Sequence, residues 1–141
     1  MLTIGQAIRA AIIDHARRDH PDEACGIVAG PLGSDRPERF IPMINAEHSP
    51  TFYSLDSAEK LKVFREMDDR DEEPVVIYHS HTATEAYPSR TDVANADYGT
   101  AHFVLVSTRD TDGLGEFQFR SFRIIDGVVS EEEIKVVDAS E

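Results

Sequence analysis

The sequence predicts a single α/β domain in which helices flank a central β-sheet of mixed or mostly antiparallel strands. Three observations predict it. Apolar residues recur at helical spacing in two segments, Ile4-Ala7-Ile8-Ala11-Ile12 (as Ile4, Ala7, Ile8, Ala11 and Ile12) and Ala58, Leu61, Phe64 and Met67. Short apolar runs rich in β-branched residues lie between and beyond them, each of strand rather than helix length. A chain of 141 residues with 40% hydrophobic content suits one core. With no internal repeat or low-complexity linker, the domain is expected to run over residues 1–137, leaving 138–141 as a frayed tail.

The first apolar face predicts an N-terminal helix that ends near His20-Pro21, because a residue before proline is pushed out of helical conformation. Residues 24–30 read as a strand closed by Gly30-Pro31. Residues 38–44 read as a second, whose Pro42 predicts an edge position or a bulge. The second helix starts at Asp56 or Ser57, either of which can cap it. Pro74-Val75-Val76-Ile77-Tyr78 predicts a buried strand, Ser89 to about Asp97 a third helix, and residues 103–107 a further strand. After the turn-rich Asp110-Thr111-Asp112-Gly113, Phe117 and Phe119 alternate in one phase and Phe122 and Ile124 in the other, a slip that predicts a bulge near Arg120-Ser121. Asp126-Gly127, between Ile124-Ile125 and Val128-Val129, predicts a type I′ hairpin.

Chemistry concentrates in His79-Ser80-His81, at the C-terminal end of the buried strand, and in Ser89 and Asp92 beyond it. Residues i and i+2 of a strand share a face, so His79 and His81 converge while Ser80 faces the other way. Two imidazoles and the Asp92 carboxylate are three ligands of the kind that a catalytic zinc takes with its fourth position open. Ser89 and Asp92 also fit a plain capping box at a helix start, which implies no chemistry. The two readings are compatible, since a residue in a helix's first turn is a well-fixed ligand.

His-Ser-His, seven residues, Ser, two residues, Asp resembles the signature of the JAMM (MPN+) zinc metallopeptidases, complete here from His79 to Asp92. The segment His20 to Gly30 resembles the family's N-terminal element, with Glu23 as the matching upstream acid. Along nearly the whole chain the similarity is to the compact actinobacterial members called the Mec group, which act on the sulfur carrier CysO. Ala16 to Glu23, Ser49-Pro50-Thr51-Phe52-Tyr53 and Val75 to Asp92 carry that closer match. The resemblance implies a single-domain JAMM/MPN sandwich similar to that of the cytidine deaminases. It implies one Zn²⁺ held by His79, His81 and Asp92, with its bound water acidified to a pKa of about 7. Glu23 would carry the water's proton to the leaving amine, a role that rests on the resemblance alone, since no spacing argument places so distant an acid. Ser89 would donate a hydrogen bond to the developing oxyanion.

Other candidates read differently. Glu47 and Glu85 are alternative acids, with Glu85 in the loop after the histidines. His15, His20 and His48 read as solvated or capping residues. His102 opens an apolar run, as a strand-end histidine or a contact supporting a ligand. Cys25, the single cysteine, sits in an apolar run where burial is expected, and without a Cys-x-x-Cys pair structural zinc is disfavoured.

The net charge of -13 argues against nucleic acid and anionic membrane as partners, because phosphate binding needs clustered Lys and Arg. Asp68 to Glu73 and Glu131 to Glu133 read as solvated acidic clusters, with steering of a basic partner as the functional alternative. No apolar run reaches transmembrane length and no signal-peptide layout is present, so the chain is expected to be cytoplasmic. The expected substrate is the C-terminal tail of a ubiquitin-like sulfur-carrier protein of the CysO, ThiS or MoaD type, from which cysteine is released. The alternatives are an isopeptidase acting on lysine-linked ubiquitin-like proteins, a non-catalytic MPN scaffold and a structural zinc protein. The scaffold predicts lost ligands and the structural site four, and neither matches. The chain has no long insertion of the kind with which larger relatives recognise ubiquitin chains, and the resemblance leaves a homodimer open.

Overall fold

The chain runs β1 (Leu2–Gly5), α1 (Gln6–Asp19), β2 (Cys25–Pro31), β3 (Arg39–Met43), α2 (Ser57–Asp69), β4 (Glu72–His81), α3 (Arg90–Ala94), β5 (His102–Ser107), β6 (Gln118–Ile125), β7 (Val128–Glu132) and β8 (Ile134–Val137). This computed structural model describes residues 1–49, 53–96, 100–109 and 118–138. Six strands form one sheet in the order β3-β2-β4-β5-β6-β7, with β4 and β5 parallel and the other pairs antiparallel. The sheet is mixed, as predicted, and both its faces are covered. Ile12 and Ala16 of α1 pack on one face with Val28, Val76, Tyr78 and Val104. Val63 and Met67 of α2 pack on the other with Ile27, Ile77 and Phe103. No helix among the described residues is long and apolar enough to cross a membrane.

Several local expectations hold. Pro42 lies on β3, at the sheet edge, where its missing donor breaks no central ladder. Asp56 caps α2 by accepting the Glu59 N–H at 2.9 Å. Asp126 and Gly127 both have positive φ, 52° and 78°, as the two central residues of a type I′ turn require.

Others are corrected. Ile4 belongs to β1 and not to the helix: Leu2 and Ile4 are buried around an exposed Thr3, a period of two, and β1 pairs in parallel with the unanticipated β8. The third helix stops at Ala94, capped by Asn95, whose short amide favours helix ends. The expected bulge near Arg120-Ser121 is absent, since β6 runs in continuous register with β5 and β7. Its two apolar phases serve two covered faces, Phe119 packing with the α1 side and Ile124 with the α2 side. The irregularity lies instead between Val28 and Ala29, opposite the stretch where Pro74 offers no N–H. His15 is buried, not solvated: its Nδ1 meets the Tyr78 hydroxyl at 2.7 Å and its Nε2 the Asp19 carboxylate at 3.0 Å. The acidic clusters are partly structural, because Glu72 is forked by Arg39 and Glu132 meets His102 at 2.6 Å. The turn Asp110 to Gly113, Phe117, Asp97, residues 50–52 of the resemblance segment and residues 139–141 of the expected tail lie outside the described residues.

Gly26 faces Tyr78 across the β2–β4 pair, and a Cβ there would run into the phenol oxygen and meet the ring carbons at 2.5 and 2.6 Å. Glycine is required by that close approach, since the buried ring has nowhere to yield. Gly26→Ala is expected to destabilise the fold by about 1–3 kcal/mol, the usual range for overpacking. A thermal melt checks this, and Tyr78→Leu in the same background should recover part of the loss.

Candidate metal centre

At the end of β4, alternation aims His79 and His81 at one point, and the first turn of α3 brings Asp92 over them. The two Nε2 atoms lie 3.2 Å apart, and each is 3.1 Å from Asp92 Oδ2. Tetrahedral bonds of about 2.0–2.1 Å separate neighbouring ligand atoms by about 3.3–3.4 Å, so this near-equilateral triangle fits a zinc-sized ion above its centre. No other group of three such residues converges among the described residues.

The surroundings suit that use. The Glu85 carbonyl accepts from His81 Nδ1 at 2.9 Å, which fixes the ring and turns Nε2 towards the triangle. Tyr53 stacks on His79, ring centroids 4.5 Å apart. Asp92 sits in a complete capping box: its Oδ2 accepts the Ser89 N–H at 2.8 Å, and Ser89 Oγ accepts the Asp92 N–H at 3.1 Å. Burial lowers the His79 pKa and favours the neutral, ligating imidazole. Burial would do the same to His81, but Asp92, the Glu85 carbonyl and Glu23 outweigh it and hold it above its ordinary value. Burial also disfavours the Asp92 carboxylate, yet its bonds to His79 and His81 prevail and keep it well below the usual carboxylate range. A half-buried carboxylate between two buried imidazoles is a site for positive charge.

Glu23 lies just before β2, and Cys25 stands opposite His79 in register, so the antiparallel pairing carries Glu23 to the end of β4. It is buried, and it lines a cleft of about 220 Å³ together with His81, Ser89 and Asp92. Burial pushes its carboxyl up to about 7, an effect that His81 partly offsets. Such a group can both take and return a proton near neutrality. The alternative acids fall away, as Glu47 and Glu85 are exposed and do not line this cleft. Cys25 is fully buried, which pushes its thiol up to about 12 and removes it as a nucleophile. His20 bonds Thr108, and His48 is exposed. His102 opens β5, at the opposite end of the strand from the centre, its ring nitrogens held by Glu132 and Asp35.

Three positioning residues escape a reading of the sequence. Ser80, assigned only to the far face, accepts the Ala24 N–H at 2.8 Å and donates its own N–H to the Ala24 carbonyl at 3.0 Å, which ties the residue after Glu23 to the ligand strand. Asn45, buried, donates to the Glu23 carbonyl at 3.1 Å while its Oδ1 accepts the Glu47 and Ser54 N–H groups. Tyr53 is the third. An Asn at the end of an apolar strand is the only sequence signal for Asn45, and the partners of Ser80 and Tyr53 are too far along the chain to be read.

The comparisons with known proteins agree with this geometry. Residues 5–125 match the family described as prokaryotic homologs of the JAB domain. The chain is 64% identical to the CysO-cysteine peptidase of Mycobacterium tuberculosis over 138 residues, 98% of this chain and 92% of that one. It is 29% identical over 102 residues to a desampylase of Haloferax volcanii, covering 69% of this chain and 73% of the relative. The solution structure of protein DSY2949 from Desulfitobacterium hafniense superposes with a TM-score of 0.82 at 30% identity, over 98% of this chain and 94% of that one. A family match across most of the chain, together with a near full-length relative at that identity, establishes that this protein belongs to the JAB-domain family, in its prokaryotic branch.

Proposed function

We propose that this protein is a zinc-dependent peptidase that hydrolyses the bond after the C-terminal glycine of a ubiquitin-like sulfur-carrier protein and releases cysteine. The observation that carries this reading is the His79, His81 and Asp92 triangle beside a buried acid, in a chain 64% identical to a protein named CysO-cysteine peptidase. A second reading, an isopeptidase that frees ubiquitin-like proteins from lysine side chains, draws support from the similarity to the desampylase. The two differ only in what leaves.

When bound by the three ligands, Zn²⁺ supplies Lewis acidity, which acidifies water and polarises a carbonyl. Glu23 takes the proton of the attacking water on its carboxylate and delivers it to the departing amine nitrogen, so the carboxylate is regenerated. Ser89 Oγ already accepts the Asp92 N–H, which leaves its own hydroxyl proton to donate to the carbonyl oxygen as negative charge builds there. Asn45 and Ser80 hold Glu23 at its station through the peptide that follows it, Asn45 donating to the Glu23 carbonyl and Ser80 Oγ accepting the Ala24 N–H. The apolar packing of β4 keeps the ligands from wandering.

The direct test is intact mass spectrometry of a sulfur carrier bearing a C-terminal cysteine, incubated with zinc-loaded protein and with a chelator control. Loss of one cysteine, blocked by the chelator, is expected; a carrier that stays whole would sink the proposal, and cleavage of only a lysine-linked carrier would favour the second reading. His81→Ala and Asp92→Ala should lose zinc and activity together, as measured by metal analysis beside the same assay. Glu23→Gln should keep zinc and lose turnover, and full activity in a zinc-loaded variant would remove Glu23 as the proton carrier. Ser89→Ala should keep zinc and lose about 10²–10³-fold in rate, as for a missing oxyanion donor, with about 1 kcal/mol of stability lost with the cap.

A further inference from the structure

Two cavities meet at the centre. The cleft that holds Glu23 and Ser89 is walled by Thr82, Ala83, Thr84 and Thr91. A cavity of about 340 Å³ under α2, lined largely by apolar side chains, lies across Tyr53, Asp92 and Asn95, which border both. Glu23 and Ser89 line only the first. On the peptidase reading, Glu23 protonates the departing amine, so the residue that leaves must lie on the threonine side.

The loop that carries Thr84 is pinned at three successive residues. The Thr84 carbonyl accepts from Ser107 Oγ at 2.6 Å, the Glu85 carbonyl accepts from His81 Nδ1 at 2.9 Å, and the Ala86 N–H donates to Gln118 Oε1 at 2.8 Å. These bonds tie the loop to β5, β4 and β6. The Thr84 and Thr91 side chains, by contrast, make no hydrogen bond among the described residues. The cleft also contains no Lys or Arg among its described lining residues. A cation there would pair with Glu23 or Asp92 and hold the proton carrier in one charge state, whereas a hydroxyl can bind an anionic group without that penalty. At about 220 Å³ the cleft is smaller than the roughly 300 Å³ at which drug-sized pockets begin. It suits one small residue.

We propose that Thr84, together with Thr91, forms the subsite for the released residue, with the Thr84 hydroxyl donating to that residue's terminal carboxylate. This assignment rests on the peptidase reading. It is tested by giving zinc-loaded protein a carrier that ends in cysteine and the same carrier ending in cysteinamide. Wild-type protein should prefer the acid by about tenfold or more in kcat/KM, the usual effect of a hydrogen bond to a charged group. Thr84→Val should collapse that ratio, and Thr84→Ser should restore it, at equal zinc content. A readout independent of turnover is the Thr84 backbone amide resonance, which S-methyl-L-cysteine should shift and its amide derivative should not. Equal cleavage of acid and amide, or a ratio that survives Thr84→Val, overturns the threonine subsite and leaves the peptidase reading standing. Cleavage of neither carrier overturns the peptidase reading, and the subsite with it.

Discussion

The antiparallel pairing of β2 with β4 is the constraint on which the centre depends. Antiparallel strands place the start of one beside the end of the other, and here Cys25 stands opposite His79. That single register brings Glu23 next to two imidazoles far along the chain. Ser80 secures it with two hydrogen bonds to Ala24, one through its hydroxyl and one through its backbone. A slip of one residue would turn His79 and His81 to the opposite face and present Ser80 instead. The irregularity that Pro74 forces is absorbed at Val28 and Ala29, several residues from the histidines. Gly26 against Tyr78 then locks the intervening pair, since only a residue without a Cβ fits beneath the ring.

Asp92 joins fold and chemistry in one oxygen atom. Its Oδ2 accepts the Ser89 N–H and faces both imidazoles, so the atom that starts α3 is the atom offered to a metal ion. A five-residue helix has little stability of its own, because nucleation costs more than so few backbone bonds return. The capping box and the contacts at the centre therefore support each other. The capping box is thus present in full, and it leaves Asp92 Oδ2 facing both imidazoles.

Legibility in the sequence followed the range of the interaction. The buried strand β4, the convergence of His79 and His81, the Asp56 cap, the Asp126-Gly127 turn and the edge position of Pro42 are set within a few residues, and each is found where local pattern puts it. The errors came from partners distant in the chain. Ile4 fits a helical face equally well until β8 is seen beside it. The apparent phase slip in β6 is two covered faces, which periodicity cannot tell from a bulge. His15 reads as a surface residue because Tyr78, which buries it, lies four elements further along the chain. Glu23 could be singled out only through the family resemblance, since its proximity to the histidines is created entirely by strand pairing.

The loop after His81 extends the same economy of contacts. Because the Glu85 carbonyl holds His81 Nδ1, the proton on that ring sits on the loop side and the lone pair of Nε2 faces the triangle. Thr84 is the neighbour of Glu85, and its own carbonyl is fixed to Ser107. Any displacement of the loop that carried Thr84 away from the cleft would also loosen the bond that sets the His81 tautomer. The wall of the cleft and the tautomer of His81 are thus held by one short, pinned segment. A centre built this way has its donors oriented before any substrate arrives, so little reorganisation is left to the moment of reaction.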